Sequence, residues 1–275
     1  MSKIRIGLQL YSVRDKMEAD TEGTLRAVSE MGYDCVEFAG YFGHTAEELA
    51  GWLRKYGLTC PSVHQTPELY DEHFAEGVAF AKTLGASYTV IPWYPKEKYA
   101  EDLEGTLAYY QVLGERLLAA GLPLLYHNHD FELATVGDMP ILDRIYTTVP
   151  QEFLNPEFDT CWIKYAGYEP CDYLRRYAGR YTIVHLKDFT ARELGGGPVY
   201  ALIDKDGKEA PAPSKAERDF TFRPLGSGIQ DIPAIITAAK AGGADCFIVE
   251  QDQCYLQDSL DAARESREYL RSLGY

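Results

Sequence analysis

Leu84-Gly85-Ala86-Ser87-Tyr88-Thr89-Val90-Ile91 decides how this chain is read. A helical run stops at a glycine, and within three residues a short apolar run begins. Glycine just past a helix takes the left-handed cap conformation without a Cβ clash, and an uninterrupted apolar run of this length suits a strand covered on both faces. The same succession recurs at Met31-Gly32 before Cys35-Val36-Glu37-Phe38, at Tyr56-Gly57 before residues 60–63, and at Ala120-Gly121 before residues 124–126. It recurs again at Ala178-Gly179 before residues 182–186 and at Ala241-Gly242-Gly243 before residues 246–249.

An opening strand at residues 4–10 and one ending at Phe158-Asp159 bring the set to eight, starting near residues 4, 35, 60, 88, 124, 154, 182 and 246. Helices are predicted between them at 21–31, 46–56, 72–84, 99–120, 138–148, 170–178, 231–241 and 258–272. Eight strand-helix units in about 250 residues predict an α/β chain folded as one closed (β/α)8 TIM barrel over residues 1–275. The competing open doubly wound sheet lacks its dinucleotide fingerprint, because no Gly-x-Gly-x-x-Gly follows a strand. One interval is too long. About sixty residues separate Leu186 from Cys246 where the other repeats use about thirty, so an inserted loop or small hairpin is expected at about 189–228, after strand seven. Residues 199–203 followed by Asp206-Gly207 suggest that hairpin. The insertion reads either as a lid over the site or as decoration.

Composition narrows the function. Forty-two acidic residues against 27 basic ones leave a net charge of −15, which repels a phosphate backbone and argues against nucleic acid as a partner. No apolar run has membrane length, and the N-terminus enters a strand within a few residues, so neither a membrane anchor nor export is expected. Six cysteines without a C-x-x-C pair read as reduced thiols, which suits a cytoplasmic protein. Barrels of this kind often form homo-oligomers, although no apolar stripe compels it.

In such a barrel the chemistry sits where the strands end. The polar residues that close the apolar runs are Gln9, Glu37, His64, His127-Asn128-His129, Asp159, His185 with Lys187 and Asp188, and Glu250 with Gln251. Asp159, His185 and Glu250 close three consecutive strands, and His127 closes the strand before them. This mixture of carboxylate oxygen and imidazole nitrogen suits a divalent ion such as Mn2+, Mg2+, Co2+ or Zn2+. Glu250 could be both ligand and base, while His127, His129 and Glu132 are candidate acid/base groups or ligand supports. Lys187 reads either as a rim cation that neutralises an oxyanion or as a solvated loop lysine. His64, Gln9 and Glu37 are candidate contacts to a small carbohydrate substrate, and Trp93 and Trp162 could stack on the C–H faces of a sugar. Gly226-Ser227-Gly228 reads either as a phosphate-binding turn or as a tight turn before a helix capped by Asp231.

Several of these stretches resemble one family. Gln9-Leu10-Tyr11-Ser12-Val13-Arg14, Tyr126-His127-Asn128-His129-Asp130-Phe131-Glu132, Asp159-Thr160-Cys161-Trp162, His185-Leu186-Lys187-Asp188, Gly226-Ser227-Gly228-Ile229 and Ile248-Val249-Glu250-Gln251-Asp252 look like the sugar phosphate isomerase/epimerase family of xylose isomerase-like barrels. The resemblance spans nearly the whole chain in the right order. It implies a divalent metal held by Glu, Asp, His and Glu from strands five to eight, with the two glutamates exchanging a proton. Asp159, His185 and Glu250 match three of those ligands, whereas His127 replaces the strand-five glutamate. Trp162 stands where the family's epimerases carry a histidine.

The implied reaction removes a proton beside a carbonyl, with the metal stabilising the enediolate. Return of the proton makes the protein a sugar isomerase or epimerase. Expulsion of a β-hydroxyl or a glycosidic oxygen makes it a dehydratase or lyase, the runner-up to that first reading, since related barrels that dehydrate keto-inositols also carry histidine on strand five. An abasic-site endonuclease shares the barrel, but the negative charge and the absence of a Lys/Arg cluster argue against it. A catalytically silent sugar-binding protein is the remaining reading.

Overall fold

The computed structural model describes residues 4–195, 219–254 and 256–275. Eight parallel strands close on themselves: β1 (Arg5–Gln9), β2 (Cys35–Ala39), β3 (Ser62–His64), β4 (Tyr88–Ile91), β5 (Leu124–His127), β6 (Leu154–Asp159), β7 (Ile183–Leu186) and β8 (Cys246–Val249). Each strand pairs with the next in sequence, and β8 returns to β1 with Arg5 opposite Cys246 and Leu8 opposite Val249. The chain is therefore a TIM barrel, and all eight strands start within two residues of their expected positions.

The glycines act as the sequence implies. The helix Ala46–Tyr56 ends at Gly57 and the helix Pro67–Leu84 at Gly85, both left-handed with φ of 70° and 82°. The second of these helices starts five residues earlier than expected and breaks its helical geometry at His73. The region expected as one helix over 99–120 is two, Lys96–Glu101 and Leu103–Ala119, because the Asp102 side chain caps the second by accepting the Gly105 N–H. A six-residue helix, Thr160–Tyr165, follows β6 directly and was not anticipated.

Inside the barrel, Cys35, Val90, Leu125, Ile183, Cys246 and Ile248 form an apolar plug. Space is tight there: a Cβ on Gly7 would come within 2.5 Å of Ile248 and 2.7 Å of the Cys35 sulfur. The ionisable residues gather nearer the C-terminal ends of the strands, so the apolar layer closes off one side of the polar one.

The insertion is anchored at both ends. Asp188–Thr190 pairs antiparallel with Thr221–Arg223, directly above β7. The expected hairpin at 199–203 and Asp206-Gly207 lies outside the described residues. Phe189, Phe220 and Phe222 from this base pack with Cys161, Trp162 and Tyr165 of the helix after β6, forming an aromatic wall beside the mouth. Asp188 ties the wall down. Its carboxylate accepts backbone N–H bonds from Phe189 at 2.9 Å, Gly226 at 3.0 Å, Gly228 at 2.9 Å and Gln230 at 3.1 Å. The backbone groups that a phosphate would have used at Gly226 and Gly228 thus already bind a carboxylate of the chain itself. Asp231 caps the next helix by accepting the Ala234 N–H, as the tight-turn alternative requires. Asp188→Ala leaves four N–H groups without their acceptor, so we expect a loss of about 3 kcal/mol in unfolding free energy, measured by denaturant titration.

Candidate metal centre

Side chains two residues apart on a strand share a face. That rule stacks the site in depth, because β5 to β8 and the residues just past them supply His127 and His129, Glu157 and Asp159, His185 and Lys187, and Glu250 and Asp252. All eight are less than a tenth exposed.

At the mouth, His127 Nε2 lies 3.6 Å from Asp159 Oδ2 and 3.9 Å from Glu250 Oε2, and His185 Nδ1 lies 2.9 Å from Glu250 Oε2. One donor atom from each of His127, Asp159, His185 and Glu250 lies within 4.8 Å of all the others. A divalent ion about 2.1 Å from four donors needs spacings of roughly 3–4 Å, so the set fits. The local fold aims these groups. Asp159 Oδ1 accepts the Cys161 and Trp162 N–H bonds that start the short helix, which turns Oδ2 toward His127. Asn128 holds the same residue by its backbone, accepting the Asp159 N–H and donating to the Asp159 carbonyl.

Lys187 is not a solvated loop residue. It is 1% exposed, and its ammonium stands 2.9 Å from both Asp159 and Glu250 and 3.0 Å from Asp252. The chain runs one step past β7 before it turns into the insertion, so Lys187 keeps the inward face of His185. A metal at the mouth must share Asp159 and Glu250 with this ammonium, and Asp252 gives the lysine a partner of its own.

Beneath the mouth, His64 Nε2 lies 2.9 Å from Glu157 Oε2 and 3.0 Å from Glu37 Oε2. His185 Nε2 lies 2.9 Å from the same Glu37 oxygen and 3.2 Å from the same Glu157 oxygen. Gln9 donates its side-chain amide to Glu37 at 2.8 Å, and Ser62 donates its hydroxyl to the other Glu37 oxygen. Gln9, Glu37 and His64, read in the sequence as substrate contacts, are therefore engaged with one another and with His185.

The electrostatics record this crowding. Burial disfavours the charge on His64, but Glu37 and Glu157 outweigh it and hold the imidazole up at about 10. His185 is raised in the same way by Glu157 and Glu37. Burial, together with the neighbouring cations, keeps His127 and His129 well below the usual imidazole range. Burial raises Asp159 and Glu157, and takes Asp252 to about 7. Glu250 stays well below the carboxylate range despite its burial, because Lys187 and His185 face it.

The remaining expected residues divide. His129 lies next to His127 with ring centroids 5.3 Å apart, and Trp162 presents its ring 5.1 Å from the Lys187 ammonium. Glu132 accepts hydrogen bonds from the Tyr126 hydroxyl and the His129 backbone N–H, and burial lifts it to about 8. That makes it a support for the β5 loop. Trp93 is half-buried in the loop after β4. Glu157 and Asp252 escaped the sequence reading, although each lies two residues from a candidate ligand, Asp159 and Glu250 respectively.

The sequence profile described as xylose isomerase-like TIM barrel matches residues 25–273. The chain belongs to this family. Its relatives are enzymes: an inosose dehydratase of Geobacillus kaustophilus is 25% identical over 190 residues, covering 60% of this chain and 60% of that protein. An inosose dehydratase of Clostridium beijerinckii is also 25% identical, over 58% of this chain and half of its own length. The chain thus spans about half to 60% of the curated relatives it matches. Among solved structures, a sugar phosphate isomerase/epimerase of Parabacteroides distasonis superposes with a TM-score of 0.78 at 20% identity over 98% of both chains. The zinc-bound IolI protein does so at 0.69 and 16% identity, again over 98% of both. No helix among the described residues is long and apolar enough to cross a membrane.

In this member of the xylose isomerase-like barrels, the buried ammonium competes for two of the four candidate ligands. Lys187→Met should therefore tighten Mn2+ binding by at least about tenfold in titration calorimetry, since a like charge within a few ångströms is removed. Unchanged affinity would mean that the lysine and the ion do not share those carboxylates.

Proposed function

We propose that the protein is a divalent-metal-dependent enzyme that removes a proton from the carbon beside the carbonyl of a sugar-derived ketone and then expels a β-hydroxyl as water. The observation that carries this reading is the pair Glu250 and Lys187, a carboxylate held ionised and an ammonium 2.9 Å away in a buried mouth. A divalent ion held by His127, Asp159, His185 and Glu250 would supply Lewis-acid polarisation of the ketone oxygen. Glu250 takes the α-proton, a C=C bond forms as the β C–O bond breaks, and Lys187 gives its proton to the departing hydroxyl. At this separation the proton on Glu250 can pass to the neutral lysine, which restores both groups. The aromatic wall of Trp162 and Phe222 limits water around the ammonium, with ring centroids 5.1 Å and 5.8 Å from it. The inosose dehydratase relatives and the zinc of the IolI neighbour are consistent with this chemistry.

Isomerisation or epimerisation begins with the same proton removal and is the second reading, supported by the Parabacteroides neighbour and by His129 above His127. Epimerisation needs an acid opposite the base. His127, where the family's epimerases carry a glutamate, is held well below the usual imidazole range by burial, so it stands there as a neutral imidazole and is a weaker acid than an imidazolium. The two outcomes separate in D2O with a keto-inositol and a keto sugar, using protein stripped by chelator and reloaded with Mn2+. We expect water loss and an enone-type ultraviolet absorbance that require the metal. Deuterium in recovered, rearranged sugar without loss of water would instead establish the isomerase, and turnover insensitive to chelation would overturn both readings.

A further inference from the structure

We infer that the barrel holds a second cation site beneath the mouth, formed by His64, His185, Glu37 and Glu157. The two imidazole Nε2 atoms and the two carboxylate Oε2 atoms form a closed ring of contacts at 2.9, 3.0, 2.9 and 3.2 Å. A network of two-centre hydrogen bonds pairs each N–H with one oxygen. Here each nitrogen stands almost equally close to both oxygens, which is the arrangement of donors facing a common point. A tetrahedral ion with bonds of about 2.0 Å has donor spacings of about 3.3 Å, and the four sides of the ring lie within about 0.4 Å of that spacing.

Three further observations point the same way. All four residues are buried, and the positive charge that two carboxylates removed from water require can come either from the two imidazoles as cations or from one dication with both imidazoles neutral. Glu37 is clamped as an acceptor on both oxygens, by the Gln9 amide and the Ser62 hydroxyl, and the Gln9 amide is itself oriented by the Tyr11 N–H. Such outer hydrogen bonds are how proteins aim carboxylate ligands. Finally, Glu157 Oε1 and His127 Nδ1 are buried with no hydrogen-bond partner, and His127 Nδ1 lies 3.5 Å from Glu157 Oε2 at the edge of the ring.

His185 links the two levels. When its Nε2 faces the deep ion, its Nδ1 carries the hydrogen and donates to Glu250 at 2.9 Å. With both ions bound His185 therefore passes from the mouth set to the deep one, and the mouth ion keeps His127, Asp159 and Glu250 with open positions for a substrate, the pattern of a catalytic site, while the deep ion is enclosed by protein donors. The deep site does not depend on which ketone the mouth accepts or on what becomes of the proton.

Metal stoichiometry tests it. Protein stripped by chelator, equilibrated with Zn2+ and freed of excess ion should contain two zinc ions per chain by elemental analysis. Glu37→Gln and Glu157→Gln, each checked for native circular dichroism, should fall to one ion, and Asp159→Asn should lose the other. Crystals at the zinc edge should show an anomalous peak within the ring of His64 and His185. One ion per chain in the unaltered protein would overturn the proposal, as would two ions retained in both Glu37→Gln and Glu157→Gln. Two ions with an inactive enzyme would leave the deep site standing and sink only the proposed reaction.

Discussion

Five carboxylates, Glu37, Glu157, Asp159, Glu250 and Asp252, are buried at one end of a barrel whose other end is plugged by apolar side chains. Removing a carboxylate from water costs several kcal/mol unless a positive partner or hydrogen bonds replace the solvent. Lys187 and the two imidazoles His64 and His185 are the partners that the chain supplies, while His127 and His129 remain neutral. The raised carboxyls of Asp159, Glu157 and Asp252 register what those partners leave uncompensated. This deficit suits the barrel end to the divalent ion we propose, before any substrate is considered.

The supporting architecture follows from the same need. Asp159 is held by the first turn of the helix after β6 and by Asn128, Glu37 by Gln9 and Ser62, and His185 by carboxylates on both ring nitrogens. The insertion contributes from outside: its base turns Phe222 toward Lys187, and Asp188 pins the base to the Gly226–Gln230 backbone. A buried ammonium beside an ionised carboxylate is costly to build for stability alone, and here the pair adjoins candidate metal ligands in a mouth lined by aromatic rings. That juxtaposition is what the proposed proton transfer rests on.

Much of this was legible in the sequence, because helix termination at Gly57 and Gly85 and the apolar runs that follow are local events governed by backbone sterics. Strand-end residues were legible for the same reason, and they marked His127, Asp159, His185 and Glu250. Glu157 lies inside its strand and Asp252 two residues past Glu250, so neither closes an apolar run, although a period of two reaches them from Asp159 and Glu250. Other features depend on distant partners. That Asp188 would occupy the N–H groups of a turn some forty residues later is a property of the closed fold, as is the burial of Lys187 between strands β6 and β8. Glu37 and His64 read as strand-end residues like those of the mouth, and nothing local reveals that they also meet each other and His185.

The central claim is that cation binding compensates buried carboxylates, and thermal unfolding reads it most directly. Calorimetric scans of chelator-treated protein should show a Tm that rises progressively with added Zn2+ or Mn2+, because an ion that binds only the folded chain stabilises it by mass action. The rise should be much smaller in Asp159→Asn. A Tm unchanged up to about millimolar metal, where even a weak specific site would register, would contradict the account.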